Sequence, residues 1–224
     1  STTGWAPHGT FVSNQLVEID PVDYPAAIET LRPVRSHLFD SLHEIFVGPE
    51  PSRRNMATSA LLEYAVDKPE VLAELLFDSN TQQFARVFDL LDNHSEVAAE
   101  LMLKRVAQLP SAQASNVEMG ATAKRRANAA VGLVRMNRLD DVWHLLRHDP
   151  NPRVRSYLIH KLAPQGAKPS EFIAKIEREE DPSTRRAVFQ LLGEFSPDDL
   201  DEAEGLRAIE LAKTAWLNDE DPGV

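Results

Sequence analysis

Residues 149–162 read DPNPRVRSYLIHKL, in which two prolines and two arginines stand directly before an apolar run. Leu158, Ile159 and Leu162 follow one another at the three- and four-residue spacing that places side chains on one face of an α-helix. Proline is tolerated in the first turn of a helix and disrupts an interior turn. The stretch therefore predicts a turn followed by the start of an amphipathic helix.

The same helical phase recurs at four other places in the chain. Mostly apolar or small residues lie at offsets +3, +4, +7 and +8 from Arg155, and similar residues follow the origins Arg53, Thr81, Arg126 and Arg185. Successive origins are 28, 45, 29 and 30 residues apart. A period of about 30 residues accommodates two short helices with their turns, which indicates a helical repeat.

Each phased helix has another apolar helix before it. These preceding segments are 68–77, 95–109, 139–148, 170–179 and 202–216. A helix pair of this kind cannot bury its apolar face alone and needs its neighbours, which is typical of an α-solenoid. A helical bundle would explain the amphipathic pattern but not the fixed phase. We therefore expect an all-α superhelix of about ten to twelve helices, in roughly five pairs.

The repeats are expected to occupy residues 49–224, with a polar loop insertion near 109–118 that accounts for the 45-residue interval. Residues 1–48 do not keep the phase and are expected to form a divergent N-terminal cap or connection. Helices are predicted there at 23–32 and 34–46, after an extended or irregular start at 1–10. The final LNDEDPGV repeats the junction sequence, so the chain is expected to stop within a repeat.

Composition excludes several classes of function. The chain has 224 residues, no cysteine and a formal net charge of −11. The lack of cysteine excludes disulfides and thiolate metal sites, and the acidic balance disfavours general binding to nucleic acid or membrane surfaces. No apolar run approaches the roughly 20 residues that span a bilayer, and no signal peptide is visible. The sequence does not determine the compartment, and these two features favour the cytoplasm slightly.

The charge is distributed unevenly along the chain. Residues 121–161 hold nine lysines and arginines against three acids, a balance of +6, and we call them the basic band. From residue 195 onward, nine acids face two bases, a balance of −7. The basic band is therefore a candidate phosphate-binding surface, and the alternative is that it pairs with the acidic end of the chain, within the molecule or in a neighbour.

The junctions resemble HEAT repeats, a family in which an acidic residue and an arginine six positions later recur between paired helices. Asp149 and Arg155 have this spacing, and so do Glu179 and Arg185. The resemblance covers residues 121–195 well and the earlier repeats in part. It implies an α-solenoid in which the acid and the arginine form a structural ladder.

A narrower resemblance covers much of residues 125–224. The segments VWHLLRHDPNPRVRSYLIHKLAPQGA, EDPSTRRAVFQLLGEF and LNDEDPGV are similar to a region of large bacterial multidomain proteins. Those proteins combine HEAT-like repeats with a serine/threonine kinase domain or a formylglycine-generating-enzyme-like (sulfatase-modifying-factor) domain. The resemblance implies that this segment is the repeat region and that catalytic domains lie outside it.

Five residues are assigned to the predicted ladder. They are Asp149, Arg155, Glu179, Arg185 and Arg126, the last with Gly120 in place of the acid. The helix dipole disfavours a cation at a helix start, so each arginine should bond an acid or a free carbonyl at the turn of its own or an adjacent repeat. On this reading Arg155→Ala lowers thermal stability, whereas Arg153→Ala leaves it nearly unchanged.

Six further residues are candidates for contact with a partner. They are Lys124, Arg125, Trp143, Arg147, Arg153 and Arg186. His144 and His148 have the i, i+4 spacing of a metal pair but no acid that completes a set, so no metal site is predicted. The acids of residues 196–205 are assigned to a solvated helix start, and no catalytic residue or cofactor site is predicted.

The sequence therefore predicts a non-catalytic helical-repeat module that acts as a protein-interaction scaffold or spacer in a larger bacterial protein. Its partner would be a flanking domain of the same polypeptide or another protein. Two alternatives stay open: a nucleic-acid-binding protein similar to HEAT-like DNA glycosylases, which would use the basic band, and a purely structural spacer without a ligand.

Overall fold

The computed structural model describes residues 4–218, and every regular element in that range is helical, which confirms the all-α prediction. The α-helices are α1 (Gly9–Leu16), α2 (Tyr24–Leu31), α3 (Phe39–Phe46), α4 (Pro51–Ala65), α5 (Pro69–Asp78), α6 (Thr81–Leu91), α7 (Ser95–Ala107), α8 (Asn116–Arg135), α9 (Leu139–Val142), α10 (Arg153–Lys161), α11 (Pro169–Ile176), α12 (Pro182–Leu192) and α13 (Glu202–Asn218). Short 3₁₀ helices lie at Ala6–His8, Arg32–His37, Asp92–His94, Trp143–Leu146 and Pro197–Asp199.

The chain divides into two compact units after His94. We call them the N-terminal unit and the C-terminal unit. The predicted boundary at residue 48 falls inside the N-terminal unit, where α3 packs against α4. The buried Gln83 side chain joins residues on both sides of this boundary. Its Nε2 donates to the Phe46 carbonyl at 2.9 Å and to Thr58 Oγ1 at 3.1 Å.

The start of the chain is more regular than the sequence suggested. Residues 1–10 were expected to be extended or irregular, but α1 begins at Gly9, after a 3₁₀ turn. A side chain at Gly9 would place its Cβ 2.4 Å from the His37 carbonyl oxygen, so only glycine allows this close approach. The buried Ser13 and Ser41 hydroxyls share a hydrogen bond of 2.6 Å, which fixes α1 on α3.

The predicted helix at 34–46 is divided in two. Residues Arg32–His37 form a 3₁₀ helix with Pro33 in its first turn, and α3 starts only at Phe39. The predicted helix at 23–32 corresponds to α2. Tyr64 of α4 donates its hydroxyl hydrogen to the Ile28 carbonyl at 3.2 Å, so these helices belong to the core of the same unit.

The C-terminal unit is built around α8, which packs against α7 and α10, while α10 packs against α12. Ala127, Ala129 and Ala130 on α8 are completely buried. Small side chains at these positions let the neighbouring helices approach closely, and a larger residue would overpack the contact. Leu158 and Leu162, from the stretch that opened the sequence analysis, are buried on the other side of this contact.

The insertion predicted near 109–118 is a loop between α7 and α8, but it ends earlier than expected. Helix α8 starts at Asn116, ten residues before the phase origin Arg126. A capping box explains the early start: the Ser115 hydroxyl accepts from the Glu118 amide at 3.3 Å, and the Glu118 carboxylate accepts from the Ser115 amide at 2.7 Å.

The segment 139–148 is the least regular of the five segments that were predicted to form a helix before a phased helix. It consists of α9 and the 3₁₀ helix Trp143–Leu146. Helix α8 ends just before it at Arg135, and Asn137, which has a left-handed φ of 58°, lets the Arg138 amide bond the Leu133 carbonyl at 2.9 Å. Within residues 4–218, no helix is long and apolar enough to cross a bilayer. The predicted stop within a repeat falls at residues 219–224, outside the described residues.

Candidate functional site

The C-terminal unit contains a cleft of about 710 Å³ beside the loop that precedes α8. We call it the basic cleft. Its lining is Leu109, Pro110, Ser111, Ala112, Met119, Thr122, Ala123, Arg126, His144, Leu145, Arg147, His148, Asp149, Asn151, Val154 and Arg155. Three arginines against one aspartate give the lining a formal charge of +2 with neutral histidines.

Three arginines reach the basic cleft from three different elements. Arg126 comes from the middle of α8, Arg147 from the end of the 3₁₀ helix, and Arg155 from the first turn of α10. The turn before α10 is fixed by Asp149, whose Oδ1 accepts from the Asn151 amide at 2.7 Å. This is an Asx turn, in which a short acidic side chain satisfies the backbone two residues later.

Arg126 is half-buried and donates from Nε to the Val106 carbonyl at 2.8 Å. Val106 lies in the last turn of α7, where carbonyls lack a helical partner and the helix dipole favours a cation. Burial lowers the pKa of the Arg126 guanidinium, and the charge of Asp149 opposes that shift. The predicted bond between a ladder arginine and a free carbonyl is therefore present at Arg126.

Arg155 differs from Arg126 in its contacts. It is half-buried, and in residues 4–218 its guanidinium takes part in no hydrogen bond or ion pair. Burial lowers its pKa, the positive charge of Arg186 lowers it further, and the negative charge of Asp181 opposes both. The desolvated guanidinium therefore faces the cleft with its donors available to a ligand.

Arg147 lies at the exposed edge of the basic cleft. Its Nε forms an ion pair with Asp181 at 3.2 Å, and its side chain is 66% exposed. Asp181 is the N-cap of α12, where it accepts from the Thr184 amide at 2.8 Å. The hydrogen bond from the Ser183 hydroxyl, and then those from the Thr184 amide and hydroxyl, hold the pKa of the Asp181 carboxyl at about 2. The charge of Arg147 acts in the same direction.

The two predicted pairs of the ladder, Asp149 with Arg155 and Glu179 with Arg185, are not ion pairs among the described residues. Asp149 bonds the Asn151 amide, and Glu179 bonds the Asp181 amide at 2.8 Å. Each acid thus satisfies the backbone two residues later, because the turn bends its short side chain back onto its own main chain. The spacing of six residues marks the turn and not an ion pair.

Trp143 was a candidate for partner contact, but the C-terminal unit uses it internally. Its indole N–H donates to Glu179, and its ring stacks on Phe172 with centroids 6.4 Å apart. Lys175 Nζ lies 5.0 Å from the indole centroid and bonds Asp140. The half-buried tryptophan therefore joins the 3₁₀ helix to α11.

The other candidates for partner contact are spread over α8, α10 and α12. Arg153 donates to Asn151 Oδ1 at 3.0 Å and to Asn116 Oδ1 at 3.1 Å, and so ties the start of α10 to the start of α8. Lys124 and Arg125 on α8 and Arg186 on α12 are half-buried, have interactions of their own and do not line the basic cleft. Of the six candidates, only Arg147 lines it.

His144 and His148 both line the basic cleft, where they lie next to arginines. Within residues 4–218, no group of three or more His, Asp or Glu side chains is placed to hold a metal ion. The His148 amide donates to Ser183 Oγ at 2.8 Å, which fixes this end of the segment against the start of α12.

Sequence reasoning missed the wall of the cleft that the loop before α8 provides. Leu109 and Pro110 of this loop line the same cleft as the arginines, together with Met119 of α8. A signal was present, because the insertion adds about 15 residues to one repeat and Leu109 is 70% exposed, but a sequence does not show where an inserted loop folds. Comparison of the chain with protein-family models, with curated proteins and with solved structures finds no match.

Proposed function

We propose that this chain is a non-catalytic HEAT-like repeat module, an α-solenoid that binds a protein partner, and that the basic cleft takes an acidic segment of that partner. The partner is a flanking domain of the same polypeptide or a separate protein, in a larger bacterial multidomain assembly. The recurrent phase of about 30 residues and the HEAT-like junctions support the repeat architecture.

The observation that carries the proposal is the state of Arg155. A half-buried guanidinium that forms no ion pair among the described residues has lost part of its hydration without receiving a partner in return. A carboxylate from outside would supply that partner through a bidentate, charge-assisted hydrogen bond. Arg126 and Arg147 would add to the attraction, although each is already bound to a group of the chain.

The shape and lining of the cleft fit a peptide segment. Its volume of about 710 Å³ falls within the range of ligand sites, and its walls combine arginines with Leu109, Met119, Leu145 and Val154. An occupant with both carboxylates and apolar side chains would match both kinds of lining residue. The apolar side chains in the lining favour such a peptide over a nucleic-acid backbone, which carries a negative charge on every phosphate.

The experiment is a fluorescence-anisotropy titration with a labelled peptide of glutamate and leucine. Arg155→Glu should weaken binding at least about tenfold, a loss of about 1.4 kcal/mol, because it replaces the available donor with a repelling charge. Affinity should fall as ionic strength rises. The matched control is Arg178→Glu, since Arg178 is an exposed arginine of the same unit outside the cleft and should change binding less than about twofold.

Three outcomes would contradict the proposal. Equal losses at Arg155→Glu and Arg178→Glu would show unspecific attraction to a charged surface. Binding of duplex DNA with the salt dependence of phosphate contacts, and not of the peptide, would favour the nucleic-acid alternative. Binding of neither probe would favour the spacer.

A further inference from the structure

Lys161 lies at the end of α10, on the side where that helix packs against α8. Its half-buried ammonium donates to Asn128 Oδ1 at 2.8 Å, and this is its one hydrogen bond within residues 4–218. Asn128 is completely buried in the middle of α8. Lys161 does not line the basic cleft and has no part in the proposed binding function.

The surroundings of Lys161 lack the group that a partly buried lysine ordinarily requires. No carboxylate in the described part of the chain pairs with its ammonium, and Asn128 supplies only a neutral oxygen. The charge that acts on it is that of Lys124, one helical turn before Asn128 on α8. Because desolvation and repulsion both penalise the cation, any reaction that removes the charge is favoured at this position.

A second polar group is buried in the turn after Lys161. The Gln165 amide hydrogen bonds back to the Lys161 carbonyl at 3.0 Å, and the residue is 4% exposed. Neither its side-chain oxygen nor its side-chain nitrogen has a hydrogen-bond partner in residues 4–218. An unpaired buried amide is unfavourable, so the turn after α10 contains donors and acceptors that no group of the described chain uses.

We propose that Lys161 is a site of selective Nε-acylation that takes its acyl group from an acyl phosphate or an acyl thioester. The neutral amine attacks the carbonyl carbon, a C–N bond forms, and the C–O bond to phosphate or the C–S bond to the thiol breaks. The leaving group departs with the bonding electron pair, and the amine proton passes to water. The product is a neutral amide, which needs no counter-ion and provides a carbonyl and an N–H beside the buried Asn128.

The acid–base state of Lys161 supports this site. Burial, and then the charge of Lys124, lowers the pKa of the Lys161 ammonium to about 8, from an ordinary value of about 10.4. At neutral pH the neutral fraction is thus on the order of a hundred times larger than for an ordinary lysine. A less basic amine is also less nucleophilic, so the net advantage in rate is smaller, about tenfold.

The test treats the whole chain with acetyl phosphate at pH 7.5 and follows each of its seven lysines by mass spectrometry. Lys161 should react about tenfold faster than Lys168, an exposed lysine of the following turn and the matched internal control. A parallel reaction with a small acetyl thioester determines which donor class the site accepts. In urea the preference should disappear, because it depends on the folded surroundings.

A variant ties the result to the geometry. Lys124→Glu replaces the repelling cation with a carboxylate and should slow acylation of Lys161 at least about threefold, while Lys168 is unchanged. Lys124→Gln should give a smaller decrease, and circular dichroism confirms that both variants are folded. Lys161 reacting no faster than Lys168 in the folded chain, or a rate unaffected by Lys124→Glu, would overturn the proposal.

Discussion

The junctions that begin α10 and α12 have similar sequences, HDPNPRVR at residues 148–155 and EDPSTRR at residues 180–186, and different surroundings. The two junctions align with an offset of 30 residues. Asp149 then corresponds to Glu179, which directly precedes the second stretch, and Asn151 corresponds to Asp181. Asp149 and Glu179 have the same structural role, because each accepts a hydrogen bond from the backbone amide two residues later. The first junction lines the basic cleft. The second junction is instead bonded by Trp143, Arg147 and His148, which contact Glu179, Asp181 and Ser183 respectively.

The difference lies mainly at one aligned position. Asp181 carries a charge, caps α12 and pairs with Arg147, and it is the acid that acts on Arg155. Asn151 is neutral, and Pro152, the N-cap of α10, provides no side-chain cap. At this position the second junction has a carboxylate that pairs with Arg147, whereas the first has a neutral amide whose oxygen accepts from Arg153.

Removing the side chain that closes the second junction should have the largest effect. Trp143→Ala deletes the indole bond to Glu179 and the stacking on Phe172, and we expect a loss of about 3 kcal/mol in the free energy of unfolding. Urea unfolding followed by circular dichroism measures it. Trp143→Phe keeps the stacking and loses the hydrogen bond, so its cost should be about 1 kcal/mol.

The corresponding change at the open junction is Leu109→Ala, which removes an apolar side chain of the loop beside the cleft. Leu109 is 70% exposed, so the loss should be below about 0.5 kcal/mol. If Leu109→Ala and Trp143→Ala lowered the free energy of unfolding by similar amounts, the two junctions would be stabilised equally by the residues beside them. The inferred difference between the junctions would then be wrong.

An exchange at the aligned position should have an intermediate effect. Asp181→Asn keeps an N-cap oxygen but loses the charge that binds Ser183, Thr184 and Arg147, and we expect a cost of about 1–2 kcal/mol at pH 7. The reciprocal Asn151→Asp should change stability by less than about 0.5 kcal/mol. It should also weaken peptide binding, because it adds an acid to the basic cleft. Tighter peptide binding by Asn151→Asp would contradict the inference that an acid at this position opposes binding to the basic cleft.

The pH dependence provides a second measure of the same exchange. The folded pKa of Asp181 is about 2, below the unfolded value of about 3.9, so its stabilising effect is present above the unfolded pKa. The effect should disappear as the pH falls from about 5 to about 2. The difference between the native chain and Asp181→Asn should therefore shrink over this range, and a constant difference would show that the charge is not responsible.

The sequence predicts the helical class and most helix positions because the apolar phase is local information. It also predicts the positions of the junctions, which the prolines mark. It does not identify the contacts of the acids. Asp149 and Asp181 both precede arginines, but whether a carboxylate bonds the backbone, an arginine or both depends on the turn geometry and on the distance between helices. The cleft was missed for the same reason, since its wall is an inserted loop without a helical period.

The smallest expected effect concerns the two arginines that open α10, and the structure reverses the ranking that the sequence suggests. Arg153 bonds Asn151 and Asn116, so Arg153→Ala should cost about 1 kcal/mol in the free energy of unfolding. Arg155→Ala removes a desolvated charge that forms no ion pair among the described residues, so its cost should be below about 0.5 kcal/mol. Peptide affinity should show the opposite order, with the larger loss at Arg155. A stability loss at Arg155→Ala that equals or exceeds the loss at Arg153→Ala would restore the structural ladder, and Arg155 would then no longer identify the cleft as a binding site.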